Sequence, residues 1–243
     1  MDTIQIVILS SIIIILAFVI RGLTGFGSGL IMVPLMLLFL DIKIVASIAA
    51  VFAVPSGIML IFTFQTRKWI RKDILPMLIS GAIIGTIIGT YIIASYKSDI
   101  LKKAFGIFLV LYALKMLFWN KNKLKDPNKY YGILAGFLGG TLGGMFSTGG
   151  PPVVIYLNSI TNDKKIFRST ILFYLLVVNT WQLITYIYSG LITTNVLILS
   201  LYLAPAFIIG SLLGSLIHIK INDSLFNKVI ALVLLITGIK III

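Results

Sequence analysis

The sequence predicts an all-α, polytopic helical membrane protein made of two inverted five-segment repeats, each containing a short broken helix. Three observations carry this prediction. Hydrophobic residues make up 59% of the 243 residues and charged residues 11%, with a mean hydropathy of +1.12, against roughly 45 to 50% apolar usage in a soluble domain. Two glycine-broken stretches, Gly25-Phe26-Gly27-Ser28-Gly29 with Pro34, and Ser147-Thr148-Gly149-Gly150-Pro151-Pro152, interrupt the apolar sequence at matching places. The apolar segments also fall into two sets of five, separated by one basic and polar connector.

Taken in order, the apolar runs give segments 4–20, 28–40, 44–64, 74–95 and 100–119, then 130–145, 149–158, 167–188, 194–217 and 224–243. At about 20 residues per crossing, they fill a single transmembrane domain, 1–243, with halves 1–119 and 130–243 and connector 120–129, and leave no room for a separate soluble domain. The first run follows Asp2 and precedes Arg21, the reverse of a signal peptide's basic start and small-residue cleavage site, so it is expected to be retained as a span. The second member of each set is too short for a straight span and reads either as a half-helix or as a re-entrant hairpin.

Basic residues discriminate between these two readings, because cytoplasmic loops carry the excess of Lys and Arg. If all ten segments cross, 15 basic residues, Arg21 among them, share one side against 5 on the other; if the short segments turn back, the split is 10 to 10. The ten-segment arrangement is favoured. Five crossings per half make the second half enter from the opposite face, so the repeat is inverted. Ile83 to Gly89 parallels Ile208 to Gly214, and Asp99 to Lys115 parallels Asp223 to Lys240. The spacing of Gly81, Gly85 and Gly89, and of Gly210 and Gly214, is that of small residues that let membrane helices approach closely.

Charge excludes several classes. The net charge of +13 would suggest nucleic acid in a soluble chain, but here Lys and Arg lie between apolar segments, where they orient the protein in the membrane. No nucleic-acid partner is expected; lipid is. All seven acidic residues, Asp2, Asp41, Asp73, Asp99, Asp126, Asp163 and Asp223, fall at segment ends or in loops. A cation carrier usually keeps an intramembrane carboxylate, and a hydrolase needs paired acid and base groups, so both are disfavoured. With no cysteine and the single His218 near a helix end, no metal site, cofactor or enzyme activity is expected. Trp69, Trp119 and Tyr96 near segment ends read as interface anchors.

An anion site needs no carboxylate. Helix N-termini present free amides and about half a positive charge, glycine leaves those amides bare, and Ser28, Ser147 and Thr148 can add hydroxyl donors. The expected arrangement sets Gly27, Ser28 and Gly29 opposite Thr148, Gly149 and Gly150, with Pro151 and Pro152 in the first turn of the second short helix. Arg21 and Arg168 are the charges nearest the breaks and read either as cytoplasmic anchors, which the orientation rule favours, or as counter-charges for the substrate. Asn179, Trp181 and Gln182 form a polar cluster where unpartnered polar groups are costly. Asn179 and Gln182 read equally as cavity lining or as interhelical hydrogen bonds; the matching place in the first half is Pro55-Ser56, an expected kink.

Arg21-Gly-Leu-Thr-Gly-Phe-Gly-Ser-Gly-Leu through Pro34, and Gly139-Gly-Thr-Leu-Gly-Gly-Met-Phe-Ser-Thr-Gly-Gly-Pro-Pro through Tyr156, together with size and twofold repetition, resemble the sulfite exporter TauE/SafE family, also called the TSUP family. The resemblance implies a multi-pass permease of a bacterial or archaeal cytoplasmic membrane that moves sulfur-containing or small organic anions such as sulfite, sulfonates or sulfoacetate. Carried over by position, it implies substrate contacts at Gly25, Gly27, Ser28, Gly29 and Pro34, and at Thr148, Gly149, Gly150 and Pro151. Ser28 and Ser147-Thr148 stand where the family pattern is richer in glycine. Alternating access of the two halves is the expected mechanism, and export the easier direction for an anion under an inside-negative potential. The rivals are a membrane-embedded structural or assembly subunit, and a carrier for another anion such as sulfide or thiosulfate.

Overall fold

The computed structural model describes residues 2–64, 69–118, 130–216 and 223–243, apart from the side chains of 64 and 223–227. Arg67, Lys68, Trp119, the connector 120–129, His218 and Lys220 lie outside the described residues. Among those described there are ten helices: α1 (Thr3–Thr24), α2 (Ser28–Met36), α3 (Ile42–Phe64), α4 (Leu75–Ser95), α5 (Ser98–Phe118), α6 (Tyr130–Phe146), α7 (Gly150–Ile160), α8 (Lys164–Tyr188), α9 (Thr194–Leu216) and α10 (Asp223–Ile242). Five of them, α1, α3, α4, α8 and α9, are long and apolar enough to cross a membrane. The outer surface carries Ile8, Ile12 and Leu16 of α1 and Leu201, Ile208 and Leu212 of α9, all exposed. Such a surface suits lipid, since an aqueous domain rarely exposes a contiguous apolar face of this extent.

Helix packing rests on small residues. Gly81, Gly85 and Gly89 of α4 lie against the backbone of α6 from Ile133 to Met145, and Gly136, Gly140 and Gly144 of α6 lie against Leu78, Ala82 and Thr86 of α4. The same chemistry joins α1 to α9, where Gly210 meets Ile15 and Gly214 meets Phe18 and Val19, and joins α5 to α10 through Gly106 and Gly238. In lipid no hydrophobic drive holds helices together, so close backbone contact supplies the attraction. Aromatic rings fill the centre on the α1, α3 and α9 side, with Phe52 stacked on Phe207 at 4.7 Å and Phe18 edge-on to Phe207 at 4.8 Å.

Contacts fix the helix directions. Helix α8 runs antiparallel to α3, because Ser47 Oγ donates to Leu191 O at 3.1 Å beyond the end of α8, while Leu60 and Ile61 cluster with Leu172 near its start. It runs parallel to α4, since Arg71 N donates to Thr170 Oγ1 at 3.1 Å and Thr90 and Thr185 share a hydrogen bond of 3.0 Å. The glycine contacts make α6 parallel to α4 as well, so α6 and α8 point the same way and α7 must carry the chain back between them. By the same logic α1 and α3 both run with α9, and α2 returns the chain. At 9 and 11 residues, α2 and α7 are only about 14 and 16 Å long, half of a bilayer core of about 30 Å.

Arg21 shows where the first return begins. Its Nη2 donates to Ala53 O at 3.2 Å, midway along α3, so α1 turns inside the bundle rather than beyond it. Arg21 therefore belongs to a buried helix end and not to a loop between spans 4–20 and 28–40. Replacing Gly140 by Leu should force α4 and α6 apart at Ala82. The expected cost is about 1 to 3 kcal/mol, read as a lowered midpoint of thermal unfolding in detergent, with Ile84→Leu on the exposed side of α4 leaving the midpoint unchanged.

Candidate functional site

Each break is built from three residues. In the first, α1 ends at Thr24, and Gly25 and Gly27 take left-handed φ values of 88° and 93° on either side of Phe26. Thr24 Oγ1 ties this turn together, bonding Phe26 O at 2.6 Å and receiving Phe26 N at 3.3 Å. In the second, α6 ends at Phe146 and is followed by Ser147, Thr148 and Gly149. Both helices close the same way: Gly25 N donates to Arg21 O and Ser147 N to Gly143 O, each at 2.7 Å.

Ser147 occupies the position that Gly25 takes in the first break, and its φ of 54° makes it the one non-glycine residue with positive φ among the described residues. That conformation costs roughly 1 to 3 kcal/mol and persists only where the surroundings enforce it. Here they do. Ser147 Oγ donates to Ala46 O of α3 at 2.8 Å and accepts from Gln182 Nε2 of α8 at 2.7 Å, so the second break is pinned to long helices from both parts of the chain. The first break has its own pin, a hydrogen bond from Arg168 Nη2 of α8 to Gly22 O.

The two breaks lie against each other. A Cβ on Gly29 would strike the carbonyl of Ser147 and stand 3.4 Å from Thr148 Cγ2, while one on Gly150 would touch the ring of Phe26 at 3.5 Å. Between them is a cavity of about 40 Å³, which at the 10 to 15 Å³ that one water requires has room for about three. Of the residues singled out from the sequence, Arg21, Gly27, Ser28, Gly29, Ser147, Thr148, Gly149, Gly150 and Asn179 line it. Gly25, Pro34, Pro151, Gln182 and Arg168 do not. Gly25 packs under the side chain of Arg168, Pro34 lies within α2, Pro151 is in the first turn of α7, and Gln182 acts through Ser147. Phe18, Ala49, Ala53 and Leu175 also line the cavity and carry no signal in the sequence beyond lying on apolar helices.

The polar groups at the wall are unequal. Helix α2 brings the first-turn amides of Ser28, Gly29 and Leu30, which have no acceptor within the helix. Helix α7 begins Gly150-Pro151-Pro152, and because proline has no N–H, only Gly150 keeps an amide among its first three residues. Thr148 Oγ1 is buried without a partner, and Thr148 is only 3% exposed. Arg21 is likewise 3% exposed; its Nη1 donates to Ser28 Oγ at 3.2 Å and its Nε is buried without a partner. Ser147, by contrast, spends its hydroxyl proton on Ala46. No acidic residue lines the cavity among the described residues. A wall of helix-start amides, the hydroxyls of Ser28 and Thr148, the Asn179 side chain and a guanidinium has the donors that a small anion requires.

A family model described as sulfite exporter TauE/SafE matches residues 10–241. No curated protein and no solved structure matches the chain. Removal of the Ser147 hydroxyl by Ser147→Ala leaves the buried Gln182 amide without this acceptor, removes the tie to the Ala46 carbonyl, and should cost about 1 to 3 kcal/mol. Gln182→Leu leaves the bond to Ala46 in place, so thermal unfolding of the two variants in detergent should show the smaller loss for Gln182→Leu.

Proposed function

The chain belongs to the sulfite exporter TauE/SafE family and is a multi-pass membrane anion transporter, and on that premise we propose that it exports sulfite or a related sulfur-containing or small organic anion, of the sulfonate or sulfoacetate type, by alternating access. Transport, not catalysis, is the activity of the family. One observation carries the reading of the site: the cavity lies where α2 and α7 both begin, and its wall holds the buried guanidinium of Arg21 with no acidic residue among the described ones. In this reading the anion sits on the amides of Ser28, Gly29, Leu30 and Gly150 and on the hydroxyl of Thr148, with Asn179 as a further polar contact. Gly27, Gly149 and Gly25 shape the turns, and Pro34 and Pro151 shape the short helices. Ser147 and Gln182 hold the second break in position, and Arg168 holds the first.

The moving parts are inferred to be two inverted halves, 1–119 and 130–243. Packing supports this. Exchanging each helix for the one five places on turns the α4–α6 pair into α9–α1, and leaves α3–α8 and α5–α10 in place. Helices of the last two pairs run in opposite directions, since α3 opposes α8 and Gly106 of α5 meets Ile242 while Leu109 and Val110 meet Gly238. An inverted pair of halves would behave in this way. Each half inserts one break-containing hairpin, so rocking one half against the other would open the shared cavity to alternate sides. Inside-negative potential favours anion exit by about 2.3 kcal/mol per charge per 100 mV. A bacterial or archaeal cytoplasmic membrane is the proposed location.

The test is saturable flux of sulfite, sulfoacetate and a small sulfonate from proteoliposomes holding the full chain. Thr148→Val keeps the side-chain shape and removes one hydrogen bond to a charged ligand, worth about 1.5 to 3 kcal/mol. The half-saturating concentration should therefore rise about ten- to a hundredfold at an unchanged level of insertion. Flux of sulfide or thiosulfate in place of these substrates would move the assignment to another anion, and no flux for any of them would favour a structural or assembly subunit.

A further inference from the structure

Arg21 is a buried cation without a counter-ion among the described residues. Both of its hydrogen-bond partners are neutral, Ser28 Oγ through Nη1 and Ala53 O through Nη2, each at 3.2 Å. Two of the five guanidinium donors are thereby used, and the partnerless Nε is buried in a residue that lines the cavity. The ion pair among the described residues, Arg71 with Asp73 at 2.6 Å, is far along the chain and partly exposed, and Asp41, Asp73, Asp99 and Asp163 stand beside or within the first turns of helices rather than at the cavity. Arg168, the other cation near the breaks, reaches Gly22 O and is not part of the cavity lining. Arginine keeps its charge in proteins, and a lone buried charge is costly unless something of opposite sign offsets it.

We propose that Arg21 sets the valence preference of the transporter: the guanidinium is the fixed unit charge against which the site weighs its ligand, so that anion selectivity depends on ligand charge through this one residue. The inference rests on the reading of the cavity as an anion site. Two anchored arms hold the group on α1 at the first break, the two hydrogen bonds fixing its plane, so the charge stays at one place in the cavity wall. Interaction with a fixed charge is linear in the charge of the ligand. Neutralising Arg21 therefore takes about twice as many powers of ten in affinity from a dianion as from a monoanion, whereas the helix amides and the Thr148 hydroxyl contribute alike before and after the change.

The test uses the full chain in proteoliposomes and measures inhibition of sulfite flux by three compounds of related shape: sulfate, methanesulfonate and the uncharged dimethyl sulfone. In Arg21→Gln the inhibition constant for methanesulfonate should rise about tenfold and that for sulfate about a hundredfold, while any effect of the sulfone stays as in the wild type. Arg21→Lys keeps the charge and loses the fork, so its loss should be the same for the two anions. Equal losses for sulfate and methanesulfonate in Arg21→Gln would overturn the proposal and leave Arg21 a structural residue, and a loss in Arg21→Lys that differs between the two anions would contradict a charge fixed at this place. Should Arg21→Gln fail to insert, Arg21→Met makes the same comparison of the two anions with the charge removed. A wild type that neither moves sulfite nor responds to either anion would sink the anion-site reading itself, an outcome separate from a wild type that binds both anions and a variant that discriminates between them no differently.

Discussion

At the start of α2 the backbone of Gly29 lies against the carbonyl of Ser147 with no room for a Cβ, and the rest of the bundle is arranged so that these two chain breaks can touch. Backbone that leaves the helix inside a bilayer must find polar partners or a protein-lined cavity, because an unsatisfied amide or carbonyl costs several kcal/mol there. Neither break could stand alone in lipid. Placed tip against tip, each shields the other: Gly150 covers Phe26, Gly29 covers Ser147, and both breaks border a small shared cavity. Long helices close around this contact through glycine faces on α4, α6, α1 and α9, which bring the backbones near enough for the short helices to be enclosed.

The two sides of the site are alike in outline and different in chemistry. Gly25-Phe26-Gly27 and Ser147-Thr148-Gly149 occupy equivalent turns, yet the first uses two left-handed glycines, while the second uses a strained serine held by Ala46 and Gln182. Helix α2 contributes a full set of first-turn amides; α7 gives up two to proline and offers the hydroxyl of Thr148 beside them. Among the described residues, the full charge at the cavity is that of Arg21 on α1. In the proposed reading, a ligand bound there is held by dipoles from both short helices and by the charge that α1 brings. The pins differ as well: the first break is tied by Arg168 and the second by neutral hydrogen bonds.

Much of this was legible from the chain because it is written locally. Apolar run length set the ten helices to within a few residues, as in 44–64 against Ile42–Phe64 and 74–95 against Leu75–Ser95. Glycine and proline set the breaks. The first helix departs most from its expected bounds: 4–20 is in fact Thr3–Thr24. A reading of hydropathy stops at a charge. The helix continues because Arg21 finds Ser28 and Ala53 inside the bundle, and nothing in the neighbouring letters reports partners seven and thirty-two residues away.

By itself, then, the sequence determined the membrane class, the run of helices and the paired breaks, since each depends on residue type and spacing along one chain segment. Only the tertiary structure decided that Arg21 is a buried charge at the cavity, that Arg168 and Gln182 act through Gly22 and Ser147, and that Ala49, Ala53 and Leu175 close the walls. Those outcomes depend on which helix end comes to lie beside which carbonyl. That is settled by how closely glycine lets distant backbones approach, a property of pairs of helices and not of any one of them.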